Sequence, residues 1–198
     1  MAIMPPKGWS CRYYLPHFDG ESVSQFVTFH LADCFSTALL RGWQEKLSFI
    51  QTLAQKSEHD RLVNRYLDKG SGQAWLRDSL LATMVEDALL FFNAERYALH
   101  AWVVMPNHVH ALFTPFAGNR IKLILHSWKS FTSHEAVRDP RIHEPFWSPD
   151  SYDRFIRNDQ HYANVLAYIE NNPVKAGLCN TPTEYRWSSA WWREYAGD

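Results

Sequence analysis

Residues 97–114, YALHAWVVMPNHVHALFT, constrain this chain more than any other stretch. Two apolar runs rich in Val, Ala, Leu and aromatics flank Met105-Pro106-Asn107, which predicts two neighbouring strands joined by a short turn. Strands joined that tightly must be antiparallel. Side chains alternate across a strand, so His108 and His110 project from one face, roughly 7 Å apart along it. Two imidazoles on one face of a rigid strand can grip a single divalent metal. In a chain of 198 residues with 10 histidines the pair decides nothing alone, because ordinary histidines also fall at this spacing.

Around this stretch the chain reads as one domain, 1–198, with a helical insertion around 37–95 and a C-terminal tail at 179–198. Residues 1–20 read as irregular, punctuated by Pro5, Pro6, Pro16 and Gly20. Residues 24–31, SQFVTFHL, alternate and are rich in strand formers. Residues 37–55 have helical spacing, 57–68 continue as a charged helical piece, and Gly70-Ser71-Gly72 breaks it. A second long helix is expected over 75–92, with Leu76, Leu80, Met84, Ala88 and Phe91 as its apolar stripe. Another spans 120–136, where Ile121, Leu125, Trp128 and Thr132 can face a sheet. Phe146-Trp147 opens a short extended piece. A last helix starts at Asp159 and is expected to stop at Asn172, because proline disfavours a helical predecessor. The order β, α, α, β, β, α, β, α predicts an α+β domain: an antiparallel sheet with flanking helices, ferredoxin-like in its layering.

Composition removes several classes of function. Hydrophobic residues make up 46%, enough for a substantial core, and no run approaches the ~20 apolar residues that a membrane span needs. The start, MAIMPPKGWSCRYY, lacks the basic and continuous apolar parts of a signal peptide, which places the protein in the cytoplasm. Cys11, Cys34 and Cys179 are odd in number and far apart, so buried thiols are expected rather than disulfides or a zinc site. The net charge of −1 gives no general attraction for nucleic acid, so any DNA contact must be local. One candidate patch runs from Arg120 to Arg141, where Arg120, Lys122, Lys129, Arg138 and Arg141 face only Glu135 and Asp139.

The second half of a site lies about 60 residues beyond the histidines, in YIENNPVKAGL. Tyr168 and Asn172 are four apart and share a helix face, with a rise of about 6 Å between them. A phenol and an amide oxygen then project together. If that face meets the one bearing His108 and His110, two imidazoles and an amide can hold a cation beside a tyrosine nucleophile. The bland readings are a core tyrosine and an Asn at home near a helix end.

MPNHVH followed at this distance by YIENNPVKAGL resembles the REP-associated tyrosine transposases. These belong to the IS200-like transposase family, within the superfamily of single-tyrosine HUH nucleases. LPHFDG, FVTFHLAD and YRWSSAWW extend the resemblance over most of the chain, although His30 stands where members often carry Arg. The resemblance implies an antiparallel sheet with flanking helices. It makes Tyr168 the nucleophile and His108, His110 and Asn172 the metal ligands. It also implies Mg²⁺ or Mn²⁺ as cofactor, single-stranded or hairpin DNA from palindromic repeats as partner, and a monomer, although related insertion-sequence transposases work as dimers. A ligand set of N and O without thiolate suits Mg²⁺ or Mn²⁺, Mn²⁺ being the better match to imidazole.

Tyr152 and Tyr162 are rival nucleophiles, and Asn171 is the alternative ligand if the helix register differs. Lys122, Lys129, Arg154 and Arg157 are candidate phosphate contacts, and Trp128 and Trp147 are candidate stacking surfaces for unpaired bases. Two other classes compete. A silent hairpin-binding module would bind DNA without forming an adduct. A histidine-triad nucleotide hydrolase would need a third alternate histidine where Leu112 stands.

Overall fold

Four strands form one antiparallel sheet in the computed structural model, which describes residues 22–35, 39, 42, 62, 65–68 and 70–196 and the backbone of two short strands before them. Those two, β1 (Trp9–Arg12) and β2 (Leu15–Phe18), pair as an antiparallel hairpin. Residues 1–20 are therefore not wholly irregular as expected. The main strands are β3 (Gln25–Leu31), β4 (Tyr97–Val104), β5 (His108–Pro115) and β6 (Trp147–Phe155). Among the described residues the helices described end to end are α1 (Ser79–Leu90), α2 (Ile121–Ala136), α3 (Asp159–Lys175) and the short α4 (Ser189–Tyr195), and residues 65–67 are also helical. Most of 37–55 and 57–68, where two helices are expected from sequence, lies outside the described residues.

The sheet order is β4-β5-β3-β6. The hairpin partner β5 thus sits between β4 and β3, and β3 sits between β5 and β6. This is the split arrangement of a ferredoxin-like βαββαβ unit, with α1 following β3 and α2 following β5.

The two faces bury different things. Val27, Phe29, Leu31, Val109, Ala111 and Phe113 point to one side, against Ala82, Val85 and Leu89 of α1 and Ile121, Ile124, Leu125 and Trp128 of α2. Ala101, Val103, Met105 and Leu112 point to the other, against Val165 and Ile169 of α3. The period of two along β5 therefore assigns its odd positions to the main core and its even positions to the space under α3.

Two helices depart from the expected pattern. In α1 the buried positions are Ala82, Val85, Glu86, Ala88 and Leu89, whereas Leu80 and Phe91 are largely exposed. A 3₁₀ turn at Trp75–Arg77 and an N-cap at Asp78, which accepts from the Leu80 amide, start the helix later and reset its phase. Helix α3 runs through Pro173 to Lys175 instead of stopping at Asn172. It closes at Gly177 (φ +69°), where the Leu178 amide donates to the Pro173 carbonyl and the Gly177 amide to Val174. Asn172 therefore sits inside the helix, not at a fraying end.

The C-terminal segment seals the outer edge of β4. The Val104 amide donates to the Trp187 carbonyl (2.9 Å), and the Tyr185 hydroxyl donates to the Val104 carbonyl (3.0 Å). Ser189 and Arg193 both donate to the Glu170 carboxylate of α3. Arg186 reaches the buried Glu86 (2.8 Å), which also accepts from the Trp102 indole (3.0 Å). Burial pushes the Glu86 carboxyl up, while Trp102 and Arg186 pull it back. Removing Arg186 leaves that carboxylate poorly compensated. Arg186→Met should therefore cost about 1–2 kcal/mol at neutral pH, the partial exposure of the arginine moderating the loss. Because the folded carboxyl titrates above its ordinary value, the loss should shrink as pH falls and the group takes its proton. Urea unfolding at two pH values measures both.

Candidate active site

His108 and His110 are fully buried on the α3 side of β5, and their Nε2 atoms lie 3.1 Å apart. Each ring is held from behind. The Asn107 amide nitrogen donates to the carbonyls of Ser71 (2.9 Å) and Leu67 (3.3 Å), so its oxygen must be the atom facing His108 Nδ1 at 2.7 Å. A carbonyl oxygen only accepts, so His108 carries its proton on Nδ1 and directs a lone pair from Nε2. His110 Nδ1 meets the Thr28 hydroxyl at 2.7 Å, across the β3–β5 register. That hydroxyl can donate or accept, and so supports either tautomer of His110. With Thr28 donating, His110 Nε2–H closes the contact to His108. With Thr28 accepting, both Nε2 atoms present lone pairs to one side, the arrangement a metal would need.

Helix α3 brings the second half of the site to this point. Val165, Ile169, Asn172 and Pro173 form its buried face, and Tyr168 flanks them. The Tyr168 ring lies 5.3 Å from the His110 ring and meets Phe26 edge-on at 5.9 Å. Its Oη and the Oδ1 of Asn172 are buried with no hydrogen-bond partner among the described residues. An unmet buried oxygen costs about 1–3 kcal/mol, so two of them on the helix face that carries Tyr168 to His110 call for a partner. The two oxygens and the two imidazoles suit a divalent cation by their chemistry. Burial, and after it the charge of Asp68, pushes the Tyr168 phenol above its ordinary range against a smaller opposing pull from the Asn172 side chain, so the resting hydroxyl is neutral. Lys175 lies near it, its Nζ 5.0 Å from the ring centre.

The rivals are placed elsewhere. Tyr152 lies on β6 opposite Thr28, a full strand beyond His110, with its ring beside His30. Tyr162 packs near His100. Asn171 is exposed, and its amide nitrogen donates to the Ala167 carbonyl.

Three supporting residues were not singled out from the sequence. Asn107 lies inside MPNHVH, and its position next to a histidine was a usable signal. Thr28 could be found only from the β3–β5 register. Asp68 had no signal at all. It is carried to the histidines by the turn before α1, where Gly70 (φ +74°) and Gly72 (φ +87°) take left-handed conformations. A Cβ on Gly72 would fall 2.9 Å from the Asp33 carboxylate, which also accepts from the Gln73 amide. A carboxylate oxygen of Asp68 and one ring nitrogen of each histidine lie within 4.8 Å of one another.

The expected DNA contacts divide. Arg154 and Arg157 are exposed, and Arg154 pairs with Phe26, which puts it on the α3 face of the sheet. Lys122 and Lys129 belong to α2, on the opposite face. Lys122 is exposed, and the Lys129 ammonium donates to the carbonyls of Ser148 (2.6 Å) and Pro149 (3.2 Å). Trp128 and Trp147 offer no ring to a base. Both are at most 3% exposed, and their indoles donate to Tyr97 and Thr132 within the core. The hydroxyl partners waiting inside explain why these tryptophans turn inward.

Burial forces both histidines to stay neutral. His108 is held well below the ordinary 6.5, and His110 is brought down to about 3. Below pH 6.5 the unfolded chain takes up protons that the fold refuses, so stability falls with acid by up to about 1.4 kcal/mol per pH unit for each histidine. Above pH 7 neither contributes. Between pH 7 and pH 5, metal-free His110→Gln should lose about 2 kcal/mol less stability than the parent protein. Equal losses in guanidinium unfolding would mean that this imidazole is not buried neutral.

Residues 76–172 match the family model described as "Transposase IS200 like". The chain is 29% identical over 122 residues to the REP-associated tyrosine transposase of Escherichia coli (strain K12), covering 57% of this chain and 68% of that protein. Its fold is similar to a solved REP-associated tyrosine transposase bound to a REP hairpin, with a TM-score of 0.57 and 20% identity over 95% of this chain and 86% of the other. The matched span contains His108, His110, Tyr168 and Asn172, and the stretch that carries the candidate site belongs to the IS200-like transposase family.

Proposed function

We propose that the protein is a metal-dependent single-strand DNA endonuclease and strand transferase that acts on palindromic repeat hairpins through a 5′-phosphotyrosine. The observation that carries this reading is that the Tyr168 ring lies 5.3 Å from that of His110, whose Nε2 is 3.1 Å from the Nε2 of His108, while the Tyr168 Oη and the Asn172 Oδ1 one helical turn on are both buried and unmet. His108, His110 and Asn172 would hold Mg²⁺ or Mn²⁺, and the bound cation would withdraw charge from a phosphate oxygen.

Tyr168 supplies the nucleophile. Its phenol is neutral at rest, so it becomes effective only when the phosphate is in place and the proton can leave. The Tyr168 oxygen bonds to phosphorus, the bond from phosphorus to the 3′ oxygen breaks, and that oxygen takes up a proton as the phenol loses one. The product remains a phosphodiester. A 3′-hydroxyl can therefore attack it and rejoin DNA with no other energy source. Helix α3 fixes Tyr168 and Asn172 one turn apart, so nucleophile and ligand are positioned together. Arg154 and Arg157 would receive the flanking phosphates, a reading supported by their exposure and by the pairing of Arg154 with Phe26. Because Tyr168 reaches the histidines of its own chain, one copy assembles the whole site, which favours action as a monomer. The hairpin partner is supported by the similar fold of a protein bound to a REP hairpin.

The test is covalent trapping. The protein is incubated with Mn²⁺ and labelled single-stranded hairpins from its own genome's repeats, then run on a denaturing gel. A metal-dependent adduct should form, survive in Tyr152→Phe and vanish in Tyr168→Phe. Loss only in Tyr152→Phe would move the nucleophile to β6. Tight hairpin binding without any adduct would support the silent binding module instead. For the DNA contacts, Arg154→Ala should reduce the slope of log affinity against log salt by about 0.7, as expected for one lost phosphate contact on single-stranded DNA. Lys129→Ala should leave the slope unchanged.

A further inference from the structure

We propose that Asp68 is a fourth protein ligand of the metal held by His108, His110 and Asn172, and that it supplies the one negative charge of the set. The inference rests on the metal-site reading above and adds to it a residue from outside the stretch that matches the family model.

Three observations point to Asp68. One of its carboxylate oxygens lies within 4.8 Å of a ring nitrogen of both histidines, close enough for one cation to draw all three together. Its Oδ1 also accepts from Asn172 Nδ2 at 3.5 Å. That contact assigns the Asn172 nitrogen to Asp68 and leaves its Oδ1 unpartnered. Finally, the turn carrying Asp68 is tied to the histidine strand. Asn107 donates to carbonyls on either side of it, at Leu67 and Ser71, and the Leu76 amide donates to the Pro106 carbonyl. The carboxylate is thus placed by the residue that also fixes the tautomer of His108.

Chemistry gives the placement a purpose. Two neutral imidazoles and an amide bring no charge to a dication, and Mg²⁺ in particular is ordinarily bound through one or two carboxylates. A carboxylate turns the set into one suited to Mg²⁺ and Mn²⁺. Without a cation, a half-buried anion beside Tyr168 would repel any phosphate brought to it. Lys175, whose charge acts on Asp68, is exposed on α3.

The experiment is a Mn²⁺ titration of the full chain without DNA, counting free Mn²⁺ by electron paramagnetic resonance. Asp68→Asn, Asn172→Ala, the double variant and His108→Ala are compared, with thermal melting as a check of folding. Asp68→Asn should weaken Mn²⁺ binding at least about tenfold, and should do so again in the Asn172→Ala background. A shift in the visible spectrum of bound Co²⁺ should accompany it. Unchanged Mn²⁺ affinity in Asp68→Asn, with binding abolished in His108→Ala, overturns the assignment and leaves the metal site standing. An effect that disappears in the Asn172→Ala background also overturns it, because Asp68 would then act only by orienting the amide. Absence of His108-dependent Mn²⁺ binding in the parent protein removes the metal reading and this ligand with it. Asp68→Ser, read in the same way, decides the matter if the asparagine variant does not fold.

Discussion

The alternation of β5 is the constraint on which the rest of the structure depends. Its odd residues, Val109, Ala111 and Phe113, are committed to the core beneath α1 and α2. Its even residues, His108, His110 and Leu112, are left facing α3. A slip of one residue in the β3–β5 register would bury imidazoles among Phe29 and Trp128 and turn valine and phenylalanine toward the site. The hydrophobic core therefore holds the histidines in place without touching their chemistry. The site needs little dedicated scaffolding, because strand geometry already provides it.

What the site adds is electrostatic preparation. Two buried imidazoles, two unpartnered oxygens and a half-buried carboxylate are individually unfavourable. The imidazoles are tolerated because their Nδ1 atoms meet Asn107 and Thr28, and Asn107 is held in turn by the carbonyls of Leu67 and Ser71. Each ring is paired on its outer side and open on its inner side. The fold thus holds several unfavourable groups in a small volume, where a divalent cation can relieve most of them together.

The sequence made legible what is local and periodic. The β4–β5 hairpin, the shared face of His108 and His110, and the four-residue spacing of Tyr168 and Asn172 all follow from two repeat lengths. Phase was harder. The stripe read for α1 began at Leu76, but Asp78 caps the helix and starts it later, leaving Leu80 and Phe91 in solvent. The end of α3 was misplaced because Pro173 is accommodated within it, and Gly177 closes the helix. The tryptophans of α2 and β6 were ambiguous by nature, and buried hydroxyl partners made Trp128 and Trp147 core. Asp68 could not be read at all. It lies 104 residues from Asn172, and nothing in its neighbourhood distinguishes it from any acidic residue before a glycine turn.

This dispersion has a consequence for the strand cleavage proposed above. Asp68, His108 with His110, and Tyr168 with Asn172 come from three distant parts of the polypeptide, joined only by tertiary contacts. No fragment, nascent chain or partly unfolded form brings the three together. Under the proposed function, strand cleavage would be limited to molecules that have completed folding, and local opening of α3 or of the turn before α1 would disarm the molecule before it is lost. The architecture behaves as a safety interlock whose key is the native state itself.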